Sequence, residues 1–413
     1  MSHQARVVVV GAGFAGSSFL RNLPPSLRRP GETLLVDRAE EYPFIPLIHE
    51  VAVGRIHPDS IRFPVKDLCK NRCDFLNAEV KSIDVDRKTL ETSAGEVGYE
   101  YLVLAAGSGV AQPPGKMREH FQLFWTLEDA LQLRNTLNEA WNEALDRRAQ
   151  PKPGLLNVAI VGGGATGVEL AAEVAVLFQY LKKRTTRKPA AEPRVTLFEA
   201  EDRLLGWLDP YFHRVAMDEL QKLGVEVRLG ASGEDAGDDG VEAGDEWFPA
   251  STRVWTTGID VAKMIRDLPG EHDAPGRVSV DAHLTLPGHP GVYVLGDAGL
   301  YEDPRHGVLP PTASVAIQQG PWVARDLGRR LSNSSRPPFD FFDRGYIVSL
   351  GPESAVAEAV GTKLRGPAAQ ALYRSIFLYY LKRSRDRILA TSDWAMERTL
   401  GRVGFGHRPT GSG

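Results

Sequence analysis

The sequence has little cysteine, no long apolar run and no large excess of charge, and each lack removes a class of protein. Two cysteines in 413 residues cannot frame a disulfide-stapled scaffold, and so sparse a use suits a reducing compartment. No stretch reaches the roughly 18 to 20 uninterrupted apolar residues of a spanning helix, so membrane contact is expected to be peripheral. Residues 1–6 lead straight into a valine run and a Gly-rich turn, which reads as a strand end and not as the apolar core of a signal peptide. A net charge of −4, with 42% apolar and 25% charged residues, argues against extended disorder and gives no sign of nucleic-acid binding. The balance hides one asymmetry: residues 363–413 hold ten Lys or Arg against three Asp or Glu, a surplus of seven that leaves −11 on the rest. The histidines show no metal-ligand spacing, and no metal is assigned. At roughly 150 residues per domain the length suits two or three domains.

One pattern of strand, Gly-rich turn and helix occurs twice. The first copy, RVVVVGAGFAGSSFL, sets Gly11, Gly13 and Gly16 after four consecutive valines, and the next apolar run, TLLVD, closes at Asp37. The second, NVAIVGGGATGVELAAEVAVLF, has Gly162, Gly164 and Gly167, and the run RVTLFE closes at Glu199. The physical logic is shared. The first glycine permits a tight turn, the second lets the backbone approach a pyrophosphate, and the third lets the helix pack against the strand with its N-terminus aimed at the anion. The acid closing the next strand meets a ribose hydroxyl. Asp37 follows Gly16 by 21 residues, whereas Glu199 follows Gly167 by 32, because a longer helix and the polar loop KKRTTRKPAAEP intervene. Between the copies, TLEDALQLRNTLNEAWNEAL has helical periodicity and ends at QPKPG, a domain-boundary signal. ASGEDAGDDGVEAGDEW reads as a surface hairpin without chemistry.

Three further segments fit this scheme. YLVLAAGS ends a buried strand in small residues that include Ala106 and Gly107, and VWTTGID repeats the form with Gly258. Small residues there leave room for a cofactor. GVYVLGDAG sets Asp297 just after a strand, where a carboxylate can accept from a polyol, although a plain strand-end turn explains Gly-Asp as well.

The order GAGFAG, Asp37, AAGS, GGGATGVE, Glu199, TTG and GDAG resembles the flavoproteins with two dinucleotide-binding domains, one for FAD and one for NAD(P)H. Within them the chain is most similar to type II NADH dehydrogenases, the NADH:quinone oxidoreductases that pump no protons. FIPLIHEVAVGRI resembles that family's loop beside the flavin, ASVAIQQG its quinone-site motif, and FFDRGYIVSLG through GTKLRG the start of its C-terminal membrane-binding region. Ser314 stands where the quinone motif has its first glutamine, and Gln318 keeps the second. The resemblance implies an α/β fold with two Rossmann-like domains plus a C-terminal membrane-surface helical region. It implies non-covalent FAD, NADH as substrate, and a menaquinone- or ubiquinone-type acceptor. Gly11, Gly13, Ala15 and Gly16, with Phe14 beside them, are expected at the FAD pyrophosphate. Asp37 and Arg38 belong at its ribose, Val80 at the adenine through its backbone, Ala106 and Gly107 along the cofactor, and Asp297 at the ribityl chain. A helix starting near Ala313, with Ser314, Val315 and Ala316, is expected to aim N–H groups at the flavin O2 edge. Gly162, Gly164, Thr166, Gly167, Glu199 and Gly258 are expected at NADH. Glu169 resembles the glutamate kept between flavin and nicotinamide, a proton relay for the quinone; the alternative is an acid that complements a helix dipole. Gln318 is placed at the quinone, and Lys363 is a quinone neighbour or a surface lysine.

The domains are expected at 1–125 with 269–340 for FAD, 126–268 for NAD with a helical linker, and 341–413 for the C-terminal region. In AQALYRSIFLYYLKRSRDRIL the rows Leu372, Ile376, Tyr380 and Tyr373, Phe377, Leu381 form one broad apolar face beside Arg374, Lys382, Arg383, Arg385 and Arg387. This predicts an amphipathic anchor on the cytoplasmic face of a membrane, with a packed helix or a homodimer contact as the alternative. Cys69 and Cys73, spaced CKNRC, lack the four-residue interval of the disulfide reductases of this fold and read as reduced structural thiols. Two other functions fit the same fold: a soluble reductase of a rubredoxin or ferredoxin, and a flavoprotein scaffold similar to apoptosis-inducing factor.

Overall fold

Four consecutive valines suit a strand covered on both faces. In the computed structural model, which describes residues 3–146, 152–233, 235–381 and 383–397, they end the buried strand β1 (His3–Val10). The chain turns at Gly11 into α1 (Phe14–Arg21) and returns as β2 (Thr33–Asp37), parallel to β1 with Val10 beside Val36. A side chain at Gly16 would put its Cβ 1.9 Å from the Gly11 carbonyl oxygen, so only glycine lets α1 start this close to the loop. A short helix α2 (Ile48–Ala52) and the strands β3 (Asp74–Asn77) and β4 (Gly95–Leu104) follow. Next comes α3 (Leu127–Leu145), which Thr126 and Asp129 close with a reciprocal capping box.

The second copy repeats the first. It runs β5 (Asn157–Val161), α4 (Ala165–Arg184), β6 (Arg194–Glu199), α5 (Pro210–Leu223), β7 (Val225–Leu229) and β8 (Thr252–Trp255). Gly167 repeats the approach of Gly16, with a Cβ that would lie 1.9 Å from the Gly162 carbonyl oxygen. The chain then adds β9 (His289–Val294) and α6 (Ala313–Leu331). It ends in β10 (Ile347–Ser349), β11 (Ala355–Ala359), β12 (Thr362–Arg365), α7 (Gly366–Tyr380) and α8 (Ser384–Met396).

These elements form two compact units. One comprises Met1–Tyr42, Phe63–Gly109 and Ile259–Asp343, the other Pro43–Arg62, Val110–Gly258 and Arg344–Gly413. The first unit's main sheet has the order β3-β2-β1-β4-β9, all parallel, with Thr285–Leu286 antiparallel at the edge. The second unit has the parallel order β7-β6-β5-β8, continued by Gln122–Leu123. In each sheet the strand before the glycine loop has neighbours on both sides. The crevice beyond its C-terminal end is where open α/β sheets bind ligands. The fold is thus the expected pair of Rossmann-like α/β units, and the acidic Gly-rich segment forms a small three-stranded antiparallel sheet within 235–249.

The C-terminal region departs from the expected single amphipathic stretch. The helix stops at Tyr380, Leu381 adopts extended backbone and is fully buried, and a new helix starts at Ser384. Arg383 pairs at 2.8 Å with the buried carboxylate of Asp386 across the new helix start. Tyr373, expected on the lipid-facing stripe, and Trp394 are buried in the second unit. Arg374 is not a free cation either, since its guanidinium lies over the Trp394 ring. Among the described residues no helix is long and apolar enough to cross a membrane. The last basic residues, Arg398, Arg402 and Arg408, and Lys382 lie outside the described residues.

A Gly16→Ala substitution is expected to lower stability by about 2 kcal/mol or more, because the added carbon meets backbone that cannot yield cheaply. Urea unfolding of the variant beside the native protein measures this; an unchanged midpoint would mean that the helix can shift away from the loop.

Candidate active site

Each glycine loop is gripped by the acid that sequence spacing singled out. In the first unit Asp37 Oδ2 accepts from the Ala12 N–H at 2.6 Å and Oδ1 from the Ala39 N–H at 2.8 Å. In the second, Glu199 Oε2 accepts from the Gly163 N–H at 2.6 Å and Oε1 from the Glu201 N–H at 2.9 Å. The two acids make the same pair of contacts, to the loop's second residue and to the backbone two residues beyond themselves. This holds the strand end and the loop in register.

In the first unit Asp297 follows β9 in a short 3-10 turn and accepts from the Ser108 hydroxyl at 2.7 Å. Burial raises its pKa, opposed by the Ser108 bond and by Arg277. The Tyr42 phenol is raised by burial and then by the carboxylates of Asp297 and Asp37, so both acids face the space around one ring. Phe14 meets the edge of the same ring at 6.0 Å. Ala106 and Gly107 follow β4, Val80 opens a strand that pairs with Thr92, and Arg38 is exposed. The helix α6 begins at Ala313, capped by the Thr312 hydroxyl, with Val315 and Ala316 buried. Gln318 is held at both ends of its amide: it donates to the Ser314 and Phe342 carbonyls and accepts from the Phe342 N–H, each at 3.1 Å. Gln319, which the sequence reading passed over, is 2% exposed and accepts from the Gly296 N–H at 2.6 Å, tying α6 to the Asp297 turn. Cys69 and Cys73 are buried in this unit's core, and their mutual hydrogen bond lowers the pKa of Cys69 and raises that of Cys73.

The second unit has a cleft of about 630 Å³ lined by Gly162 to Gly164, Glu199, Glu201, Asp202 and Thr256 to Gly258. It brings together most of the residues expected at a nicotinamide nucleotide. Thr166 lies in the first turn of α4. Arg203, Gly206 and Trp207 also line the cleft, and no sequence motif marked them. Lys363 on β12 pairs with Asp209 at 2.8 Å and sits over the Tyr211 ring.

Glu169, in the second turn of α4, is the centre of a buried polar cluster in the second unit. Its Oε1 accepts from the Ser349 N–H at 3.0 Å, and its Oε2 lies 3.6 Å from His49 Nδ1. His49 Nε2 contacts the Tyr373 hydroxyl at 3.1 Å. Beside them Arg55, 1% exposed, pairs with Glu173, with Glu397 at 3.1 Å and with Glu50 at 3.8 Å. Trp394 donates to Glu50 at 2.6 Å. Burial pushes the Glu169 pKa up to about 8, against the Ser349 bond and helped by Glu50 and Glu173. Burial and Arg55 push His49 down to about 3. Near neutral pH the arrangement is therefore a protonated carboxyl, its side chain 13% exposed, beside a buried neutral imidazole.

The sequence profile of the pyridine nucleotide-disulphide oxidoreductases matches residues 5–320, and the chain belongs to this family. It is 29% identical over 416 residues to the type II NADH:quinone oxidoreductase Ndh of Mycobacterium tuberculosis, covering 95% of this chain and 87% of that protein. It is 27% identical over 411 residues to the demethylphylloquinone reductase NdbB of Synechocystis, covering 96% of each. The solved structure of NDH2 from Plasmodium falciparum in complex with NADH shares the fold with a TM-score of 0.87 at 16% identity, over 97% of this chain and all of that one.

The raised Glu169 pKa fixes a sign for stability. Between pH 4.5 and about 8 the folded protein keeps a proton that the unfolded chain has lost, so this group weakens the fold as pH rises through that window. Glu169→Gln keeps the acceptor for Ser349 and cannot ionise. Its stability relative to the native protein is expected to rise by a few kcal/mol between about pH 5 and about pH 8.5, read from urea midpoints. A difference independent of pH would mean that Glu169 is ionised throughout.

Proposed function

We propose that the chain is an NADH:quinone oxidoreductase that passes two electrons from NADH through non-covalent FAD to a membrane quinone without pumping protons. The observation that carries this reading is Glu169. Reducing a quinone to a quinol consumes protons, and a buried carboxyl that stays protonated near neutral pH is a competent donor at the start of a nucleotide-binding helix. The names of the relatives point the same way, and none of the chemistry requires a soluble iron protein.

The first unit suits FAD. The loop from Gly11 to Gly16 leaves no room for a Cβ at Gly16, and α1 directs its first N–H groups at a pyrophosphate. Asp37 holds the adenosine ribose and Asp297 the ribityl chain, with Arg38, Val80, Ala106 and Gly107 along the cofactor and Phe14 and Ala15 at the loop. Ser314, Val315 and Ala316 present the N-terminus of α6 to the flavin edge. When bound, FAD supplies the hydride acceptor and the two-electron donor that the side chains lack. Gly162, Gly164, Thr166, Gly167, Glu199 and Gly258 hold NADH. Glu199, Glu201 and Asp202 together disfavour the 2′-phosphate of NADPH. Gln318 and Lys363 serve the quinone; Lys363 has to leave Asp209 to reach a carbonyl.

The holoprotein should oxidise NADH with a short-chain quinone and not with a rubredoxin or ferredoxin, and kcat/KM for NADH should exceed that for NADPH by about tenfold or more. Turnover with the iron protein at the quinone rate would replace the proposed acceptor, and equal use of NADPH would remove Glu199 as the selector.

The surface face of α7 and α8 is the proposed lipid contact. Tyr379 is 71%, Ile388 65% and Met396 43% exposed, with Arg385 and Arg387 exposed beside them. Such a face suits an anionic leaflet on the cytoplasmic side, where the quinone dissolves. The double substitution Tyr379→Glu with Ile388→Glu should abolish flotation with anionic liposomes while flavin stays bound. Undiminished flotation would exclude this face. Truncation is the poorer test, since it also strips Tyr373 and Trp394 from the core.

A further inference from the structure

We infer that Glu169 is recharged with protons through His49 and Tyr373, a relay that runs from the C-terminal helix α7 through α2 to α4. The inference rests on the reading of Glu169 as proton donor and adds where its proton comes from. The imidazole of His49 is 2% exposed and stands in line between two groups that exchange protons, with Nδ1 3.6 Å from Glu169 Oε2 and Nε2 3.1 Å from the Tyr373 hydroxyl. The first gap is roughly half an ångström beyond hydrogen-bond length, within reach of a small rotation of the glutamate.

A supply from this side serves while substrate is bound. The Glu169 side chain is 13% exposed, and a substrate seated against that opening would exclude water there. The neighbouring acids do not serve, because Glu50, Glu173 and Glu397 surround the Arg55 guanidinium and are held by that charge. His49 leads elsewhere, to a phenol on α7. One turn before Tyr373, Gln370 is 3% exposed and neither end of its amide has a hydrogen-bond partner. An amide buried so deeply without a partner marks a place for water.

The step balances without redox change. The Tyr373 O–H breaks as an N–H forms at His49 Nε2, the N–H at Nδ1 breaks as an O–H forms on Glu169, and the phenolate takes a proton from water, whose hydroxide leaves to solvent. The imidazole changes tautomer and stays neutral, and a rotation of the ring restores the first tautomer before the next turnover. Its low basicity agrees with this, since no imidazolium has to form, and the raised pKa of Tyr373 requires that the phenol be refilled in the same motion. His49 and Tyr373 are positioning residues and do not touch substrate.

The test follows NADH oxidation by the holoenzyme with excess short-chain quinone in a stopped-flow instrument. Tyr373→Phe removes only the hydroxyl, and His49→Gln is the second variant. Both should complete a first turnover from the proton already on Glu169, close to the native rate, and then slow at least tenfold. The result is a burst of about two NADH per FAD, one for the completed turnover and one that leaves the flavin reduced. Glu169→Gln should stop after about one NADH per FAD, slow from the first reoxidation. A second readout does not depend on turnover: the infrared C=O stretch of the protonated Glu169 carboxyl, assigned by its loss in Glu169→Gln, should shift in His49→Gln.

Native steady turnover in Tyr373→Phe, slowing after only about one NADH per FAD, or an unmoved carboxyl band would each overturn the relay and leave the role of Glu169 standing. Native turnover in Glu169→Gln would instead overturn the proton-donor reading, and the relay with it.

Discussion

A guanidinium that is 1% exposed has to be neutralised, and the way Arg55 is neutralised organises the second unit. Its partners come from three places: Glu50 on α2, Glu173 on α4 and Glu397 just beyond α8. Removing one carboxylate from such a cluster costs about 3 to 5 kcal/mol, because a buried charge is left uncompensated. The cluster therefore fixes the last helix against the nucleotide-binding helix, and Trp394 adds its own bond to Glu50. Burial raises the Glu169 carboxyl, and Glu50 and Glu173 of this cluster raise it further. A structural ion cluster and the electrostatics of the candidate proton donor are thus one arrangement.

The sequence displayed those parts of the fold that depend on neighbours in the chain. Valine runs, glycine spacing and strand-end acids are local signals. Asp37 and Glu199 close the strands that the sequence marked, and each also bonds an equivalent pair of backbone N–H groups that the sequence did not announce. The periodicity of TLEDALQLRNTLNEAWNEAL likewise announced α3. What lay hidden was contact between distant segments. Ser349 and Tyr373 approach Glu169 and His49 from 180 and 324 residues away, and no pattern near them records it. One signal was available: Glu50 and Arg55 are charges inside the otherwise apolar FIPLIHEVAVGRI, and charges buried with such neighbours need partners.

The tail shows the limit of periodicity. Leu372, Ile376 and Tyr380 recur at the same interval as Tyr373, Phe377 and Leu381, so both rows read as one apolar face. Packing separates them. Tyr373 bonds His49, Phe377 meets the edge of Phe44 at 5.6 Å, and Leu381 is buried, whereas the other row stays half-exposed. Helical spacing says that a stripe will be covered but not by what. Here protein covers most of one row, and the other stays partly exposed.

Two readings of Glu169 were open from sequence, a proton carrier or a complement to the helix dipole, and the electrostatics favour the first. An anionic side chain near a helix N-terminus gains about 0.3 to 1 kcal/mol, and that gain would lower its pKa. The surroundings push it the opposite way, up to about 8, with burial the largest cause. Burial and the nearby acids outweigh the dipole and the Ser349 bond together. A carboxyl that stays neutral near pH 7 cannot complement a dipole. The first nucleotide-binding helix has Ser18 at the corresponding place, two residues after its third glycine. Of two helices that begin alike, the one that would meet the nicotinamide also presents an acid, in surroundings that keep it protonated.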